Sequence, residues 1–185
     1  MKYHVAEETV AYTGEQLHSN FALTVFGILG DSIVAFCGPC DVRKDKIVDI
    51  EDLRAGNRIY SENMLHFIVE HRDTDLEKSI LRQVMLVNII KDLINARLGG
   101  LVVRREHTDL YDGDAKLSVS VATVSPLSSL IHCGINISSA NTPVKTRGLD
   151  DYRIEPVAFA RRVVEEYARD TDRLYSARCK VKWVE

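Results

Sequence analysis

No run of apolar residues in this 185-residue chain approaches the ~18 to 20 that a membrane-crossing helix requires. There is no basic block either. The 24 lysines and arginines are outnumbered by 27 acidic residues, and a net charge of −3 argues against a dedicated nucleic-acid surface. The opening MKYHVAEETV has no apolar stretch of the secretory kind, so a cytoplasmic location is expected. Proline is scarce, at four residues, and no linker, internal repeat or low-complexity tract interrupts the chain. One α+β domain over residues 1–185 is therefore the expected organisation, long enough to bury a single core. Cysteine is sparse too. Only Cys37, Cys40, Cys133 and Cys179 occur, and in a reducing compartment a core of this size needs no structural disulfide.

What is present is patterned apolar residues, 45% of the chain being hydrophobic. Residues 3–12 read as an opening strand. Thr13 and Gln16 form a capping-box pattern, and Leu17, Phe21, Val25 and Ile28 recur at helical spacing, which predicts a helix over 14–28. A short strand, Ile33 to Phe36, follows. Residues 41–61 are charged and aperiodic, predicting a loop with a helical turn near 49–55, and 63–71 reads as a strand. A second capping box, Thr74 and Glu77, opens a helix over 75–98 with a broad apolar face, stopped by Gly99-Gly100. Strands are predicted at 101–105, 115–124 and 129–137, with a turn at Ser125-Pro126. A loop over 138–154 leads to a last helix opening at Glu155-Pro156. This order defines an α+β plan whose strand neighbours can mostly pair antiparallel.

Two features invite chemistry. Cys37-Gly38-Pro39-Cys40 matches the thioredoxin tetrapeptide. A low-pKa thiol would need a helix directly behind it, and Asp41-Val42-Arg43-Lys44-Asp45-Lys46 supplies no apolar stripe and three cations where anions are favoured. Cys37 and Cys40 are equally weak zinc ligands, because no second CxxC accompanies them. A strand-to-loop turn is the reading the composition favours. The second feature is the hairpin 115–124 and 129–137, whose alternation predicts that Lys116, Ser118 and Ser120 share a sheet face with His132, Gly134 and Asn136. Small polar residues around one lysine and one amide suit an anionic or polar small-molecule ligand lying on a sheet. His66 and Glu70 share one face of the 63–71 strand, and His107 and Arg43 complete the groups expected to converge.

The run HTDLYDGDAKLSVSVAT, 107–123, followed by HCGINI, 132–137, resembles the core of the biotin- and lipoate-protein ligases, which have a class II synthetase-like fold. In that family an Asn-Asp pair ends one strand, a lysine opens the next and a Gly-Ile-Asn signature lies on the third. Asp109 falls at the aspartate, Lys116 at the lysine, and Gly134-Ile135-Asn136 matches the signature. CGPCDVR takes the place of the ligases' Gly- and Arg-rich loop, Thr108 stands where they carry asparagine, and Ser118 where they carry glycine. The whole chain also resembles a family of small uncharacterised archaeal proteins. The resemblance implies a mainly antiparallel sheet packed by helices, and a ligand that is a small carboxylate, an acyl group or a nucleotide. It implies acyl transfer or ATP-dependent ligation with ATP and Mg as cofactors and an acceptor protein as partner. Lys116 and Asp109 would be catalytic, with Asn136, Gly134, His132, Ser118, Ser120, Arg43 and His66 binding the ligand. A non-catalytic binder of the same fold, or a thiol or zinc protein built on the CxxC, are the alternatives. An exposed sheet edge would also permit a homodimer.

Overall fold

A computed structural model describes residues 1–184. Its main sheet has five strands. β1 (Lys2–Val5) runs parallel to β2 (Ser32–Asp41), while β3 (Tyr60–His71), β8 (Ser129–Asn136) and β7 (Ser118–Val124) continue antiparallel. The order across the sheet is β1-β2-β3-β8-β7. Two long helices, α3 (Leu76–Leu98) and α4 (Pro156–Cys179), cover one face. The other face lies under residues 6–30, with the short α1 (Phe21–Phe26), and under the segment that carries α2 (Ile50–Ala55). A small second sheet is formed by β4 (Val103–Glu106), β5 (Asp109–Asp112) and β6 (Ala115–Lys116). The mainly antiparallel α+β architecture is thus the one the sequence predicts. Among the described residues no helix is long and apolar enough to cross a membrane.

The core splits along the sheet's two faces because side chains alternate along each strand. Ile33, Ala35, Leu65, Phe67, Ile131, Cys133 and Ile135 face the long helices, and Leu86, Val87, Ile90 and Ile94 of α3 meet them with no exposed surface. Each such side chain contributes ~1.5 to 3 kcal/mol on leaving water. Val34, Phe36, Met64 and Ile68 face the other way, against Tyr12, Phe21 and Val42. The long helices are capped as helices of this kind require. Asp75 accepts from the Lys78 amide, and Glu155 accepts from Val157 and Ala158 ahead of Pro156. The cap of α3 is therefore Asp75, one residue beyond Thr74.

Four local expectations are corrected. The predicted helix over 14–28 shrinks to Phe21–Phe26, because Gly14 and Asn20 sit at positive φ and the chain turns at both. The Thr13–Gln16 capping contact nonetheless forms, Gln16 Oε1 accepting from the Thr13 amide at 3.0 Å, without a helix behind it. The opening strand ends at Val5, and Tyr12 rejoins the sheet edge only as an isolated bridge to Cys40. CGPC is not a turn but part of β2, with a bulge between Gly38 and Cys40 that accommodates a proline lacking an N–H. The predicted strand over 115–124 breaks at Leu117 into β6 and β7, which belong to different sheets.

Candidate ligand-binding site

That break at Leu117 changes which side chains meet. β7 pairs with β8 in the register Ser118↔Ile135, Val119↔Gly134, Ser120↔Cys133 and Val121↔His132. Cross-strand partners share a face, so Ser118 and Ser120 lie with Ile135 and Cys133 on the helix side, opposite His132 and Gly134. The hydroxyl of Ser120 donates to Thr108 O at 2.6 Å and accepts from Gln83 Nε2 of α3, while Ser118 Oγ accepts from the Leu110 amide. Both serines tie elements together. Leu117 is buried in the same helix-side core, so the alternation slips by one residue and Lys116 returns to the other face.

There Lys116 forms an ion pair with Asp109, Nζ to Oδ2 at 2.7 Å, with both side chains less than a third exposed. Burial raises the Asp109 carboxyl against the pull of Lys116. Burial alone would lower Lys116, but the charge and hydrogen bond of Asp109 more than offset it, and the lysine stays an ammonium. The lysine's backbone is clamped as well, its N–H donating to Lys145 O and its carbonyl accepting from the Arg147 amide. Asn136 donates weakly to the carbonyls of Lys116 and Arg147, at 3.4 and 3.5 Å.

Lys116 stands where two hollows meet. One is a narrow cavity of about 60 Å³ between the sheet and the segment around α2, lined by Tyr12, Lys46, Asp52, Asp109, Lys116 and His132 among others. The second is an open groove of about 370 Å³ bounded by Arg58, Tyr60, Lys116, Asn136 and Thr146. Asp52, Ile59, Lys116 and Val119 border both, so they form one cleft with a narrow and a wider end.

The remaining predicted residues fall elsewhere. Arg43 is largely exposed and is held by Glu15 and Asp45, away from the cleft, because it follows a strand rather than a ligand loop. His66 has no exposed surface and joins a buried stack with Phe36, Tyr12 and His132. Gly134 leaves no vacancy for a ligand, since an added Cβ there would collide with Met64 Sδ. Cys37 packs toward the helix-side core and Cys40 lies in the opposite one, so they cannot bind one metal or bridge readily. Tyr12 is one of the lining residues that sequence reasoning missed. It stacks on His132 with ring centroids 3.8 Å apart, and only the pairing of residues 10–12 with β2 places it there.

The thiols carry a direct prediction. Burial, and after it Asp41, pushes Cys40 up to about 12; burial likewise raises Cys133 and Cys37. A disulfide reagent should titrate Cys179 at once and Cys37 slowly, and reach Cys40 and Cys133 only after unfolding. Fast modification of Cys40 in the native protein would contradict its placement in the strand.

A five-stranded, mainly antiparallel sheet, two long helices on one face and a lysine-lined cleft on the other define a protein of biotin/lipoate-ligase-like fold. Two ligase-type structures share it. A point mutant of the biotin protein ligase from Aquifex aeolicus, in complex with biotin, is 14% identical, with a TM-score of 0.55 over 91% of this chain and 70% of that one. Ta0514 of T. acidophilum, a candidate lipoate protein ligase with bound lipoic acid, is 12% identical with a TM-score of 0.54 over 92% of this chain and 86% of its own. At such identities the likeness is one of fold. The chain itself belongs to the DUF366 family, a domain of unknown function whose model matches residues 1–182. A Pyrococcus horikoshi protein of unknown function superposes with a TM-score of 0.93 at 33% identity, covering 100% of this chain and 99% of that one. An uncharacterised protein of Methanocaldococcus jannaschii is 34% identical over 175 residues, 91% of this chain and 78% of its own length.

Proposed function

We propose that the cleft binds a small carboxylate, acyl or nucleotide ligand, with Lys116 as its anion contact. The observation that carries this is the lysine's position. A clamped ammonium, half out of water at the junction of a narrow cavity and a wider groove, attracts negative charge more strongly than one in bulk solvent. The ligand's acidic end would lie at Lys116 and its remainder would extend to either side. Biotin and lipoic acid, bound by the two ligase-type proteins of this fold, are carboxylic acids of suitable size.

ATP-dependent ligation or acyl transfer to an acceptor protein is the finer reading, in which Lys116 offsets charge developing on the acid and the α-phosphate. A second reading, a binder without catalysis, is favoured by the outward, paired position of Arg43 and by the strand that occupies the place of a Gly- and Arg-rich loop. Among the described residues no three His, Cys, Asp or Glu side chains gather as a metal site, and Asp109 is committed to Lys116, so no step is assigned to magnesium.

The test is a thermal-shift titration with ATP, biotin, lipoate and octanoate, followed by pyrophosphate–ATP exchange with any acid that binds. Exchange identifies a ligase; a shift without exchange identifies the binder. Lys116→Met should weaken binding at least ~10-fold, about 1.4 kcal/mol. It should also cost ~1 to 2 kcal/mol of stability by stranding Asp109, and Asp109→Asn in the same chain should return part of that. Undiminished affinity in Lys116→Met would remove the lysine from the site.

A further inference from the structure

The apolar stripe of α4 runs on past the core it serves. Phe159, Ala160, Val163, Val164, Tyr167 and Ala168 are buried, and after Ala168 no residue of the helix is. The spacing continues all the same. Thr171, Leu174, Tyr175 and Arg178 follow Tyr167 by four, seven, eight and eleven residues, which keeps them on one face. Leu174 is nevertheless 57% exposed and Tyr175 70%. Beneath them α3 offers only its outer edge, Leu81 and Met85, and the two helices leave a groove of about 600 Å³. A helix end of about three turns with its apolar face bare is marginal in water, because most helical stability comes from packing such a face.

The groove's own charges are already matched. Lys78 and Arg82 pair with Asp73, Asp31 is bonded to His71, and Arg72 reaches Glu70. A free ion gains little there. Two things are left over: apolar surface, and the guanidinium of Arg178, which has no acidic partner among the described residues. Along the chain the acids come first, Glu166, Asp170 and Asp172, and the cations Arg173, Arg178, Lys180 and Lys182 come after. Two copies of this segment laid antiparallel about a two-fold axis set each acidic half against a basic half, whereas a parallel pair sets like against like. Centred on Leu174, the antiparallel pair brings Arg178 level with Asp170 of the partner subunit. The area suits a dimer as well. Leu81, Leu174, Tyr175, Val181 and Trp183, the last 85% exposed, offer roughly 600 Å² of apolar surface per copy, most of the ~800 Å² that each partner of a stable complex buries.

We propose that residues 169–179 of α4 pair antiparallel with the same segment of a second copy, Leu174 and Tyr175 of each copy covering the α3–α4 groove of the other. This surface lies on the helix side of the sheet, opposite the cleft, so the inference depends on no ligand. It is also distinct from a dimer built on a sheet edge.

Sedimentation velocity on the full chain tests it first. At about 50 μM the protein should run as a dimer of the 20.9 kDa chain. The double variant Leu174→Asp, Tyr175→Asp changes two side chains that are exposed in the single chain, so it should fold, and its dimer should dissociate at least ~30-fold more readily. Arg178→Asp should weaken the dimer too, and Asp170→Arg in the same chain should restore it. Cys179, exposed at the end of α4, reports the arrangement. Nitroxides attached there should lie ~20 to 30 Å apart across the dimer, given about ten residues of axial offset at ~1.5 Å each and helix axes ~8 to 10 Å apart. A monomer at that concentration, a dimer that survives the double aspartate variant, a charge swap that restores nothing, or a spin–spin distance beyond ~40 Å would each overturn the inference.

Discussion

Acidification from pH 7 to pH 5 should cost this protein about 2 kcal/mol of stability through His66 and more through His132, a large share of what many domains possess. The cause is the buried pair His66–His132. Desolvation drops His66 to about 3 and also holds His132 far below its ordinary value, so both rings stay neutral in the fold at pH 5. The unfolded chain titrates them near 6.5. Between those limits the unfolded state binds more protons than the native one, so stability rises with pH and is lost as pH falls through 6.5. A ring that stays neutral contributes about 1.4 kcal/mol per pH unit once well below that value, which gives the figure above for His66, and His132 adds to it in the same direction. Urea melts at pH 7 and pH 5 would measure it, and His132→Gln should roughly halve the slope. Equal stability at both values would mean that the pair accepts a proton without loss, contradicting the dry, stacked environment of the two rings.

Asp31 acts in a lower window. The hydrogen bond from His71 and then the Arg72 amide, opposed by burial, bring its carboxyl to about 2. Its contribution is therefore present above about pH 4 and lost only as pH falls toward 2. Because its side chain is 40% exposed, screening limits the contribution to roughly 1 kcal/mol, too little and too acidic to mimic the histidine effect.

Much of the frame was legible because it obeys one local period over a long stretch. α3, α4 and β8 stand where apolar spacing put them, and α2 where a turn was expected in 49–55. The cleft was legible only in part. Lys116, Asp109, Asn136, His132, Ser118 and Ser120 border it, but the two serines do so from the edge strand with their side chains turned to the helix side. The expected common face failed at one residue, Leu117, where a slip of one reverses every side chain that follows. Nothing in a composition of alternating small residues marks such a slip. The segment around α2 that lines the cavity was hidden for a related reason. Val42, Ile47, Val48 and Ile59 reach the cavity from a segment whose charges mask any period, since they cap a sheet edge without forming a helix face or a strand face of their own. The tetrapeptide misled because Gly and Pro punctuate turns on average, whereas here a bulge carries the proline and a crossing chain demands the glycine.

That crossing makes Gly38→Ala the substitution with the largest expected effect on folding. A Cβ at residue 38 would fall well inside the van der Waals contact distance of Val10 O and 2.7 Å from Val10 C. Both are backbone atoms, so no side chain can swing aside. The segment cannot simply lift off, because the amides of Val10 and Tyr12 donate at 2.9 Å to the carbonyls of Cys37 and Pro39 on either side of the glycine. Any shift also drags Tyr12 from its stack on His132 and disturbs Gly38 O, the acceptor for His66. Overpacking of a rigid site costs ~1 to 3 kcal/mol, and two strained or lost hydrogen bonds add ~1 kcal/mol each, so a loss of roughly 3 to 5 kcal/mol is expected. Gly100→Ala is the matched control: nothing lies within 4 Å of its added methyl, and the change should be close to neutral. Thermal melts of the two variants beside the parent decide the matter. A Gly38→Ala protein that melts with the parent would mean that residues 8–12 do not cross β2 at this point, and with that crossing would go the roof over the two histidines.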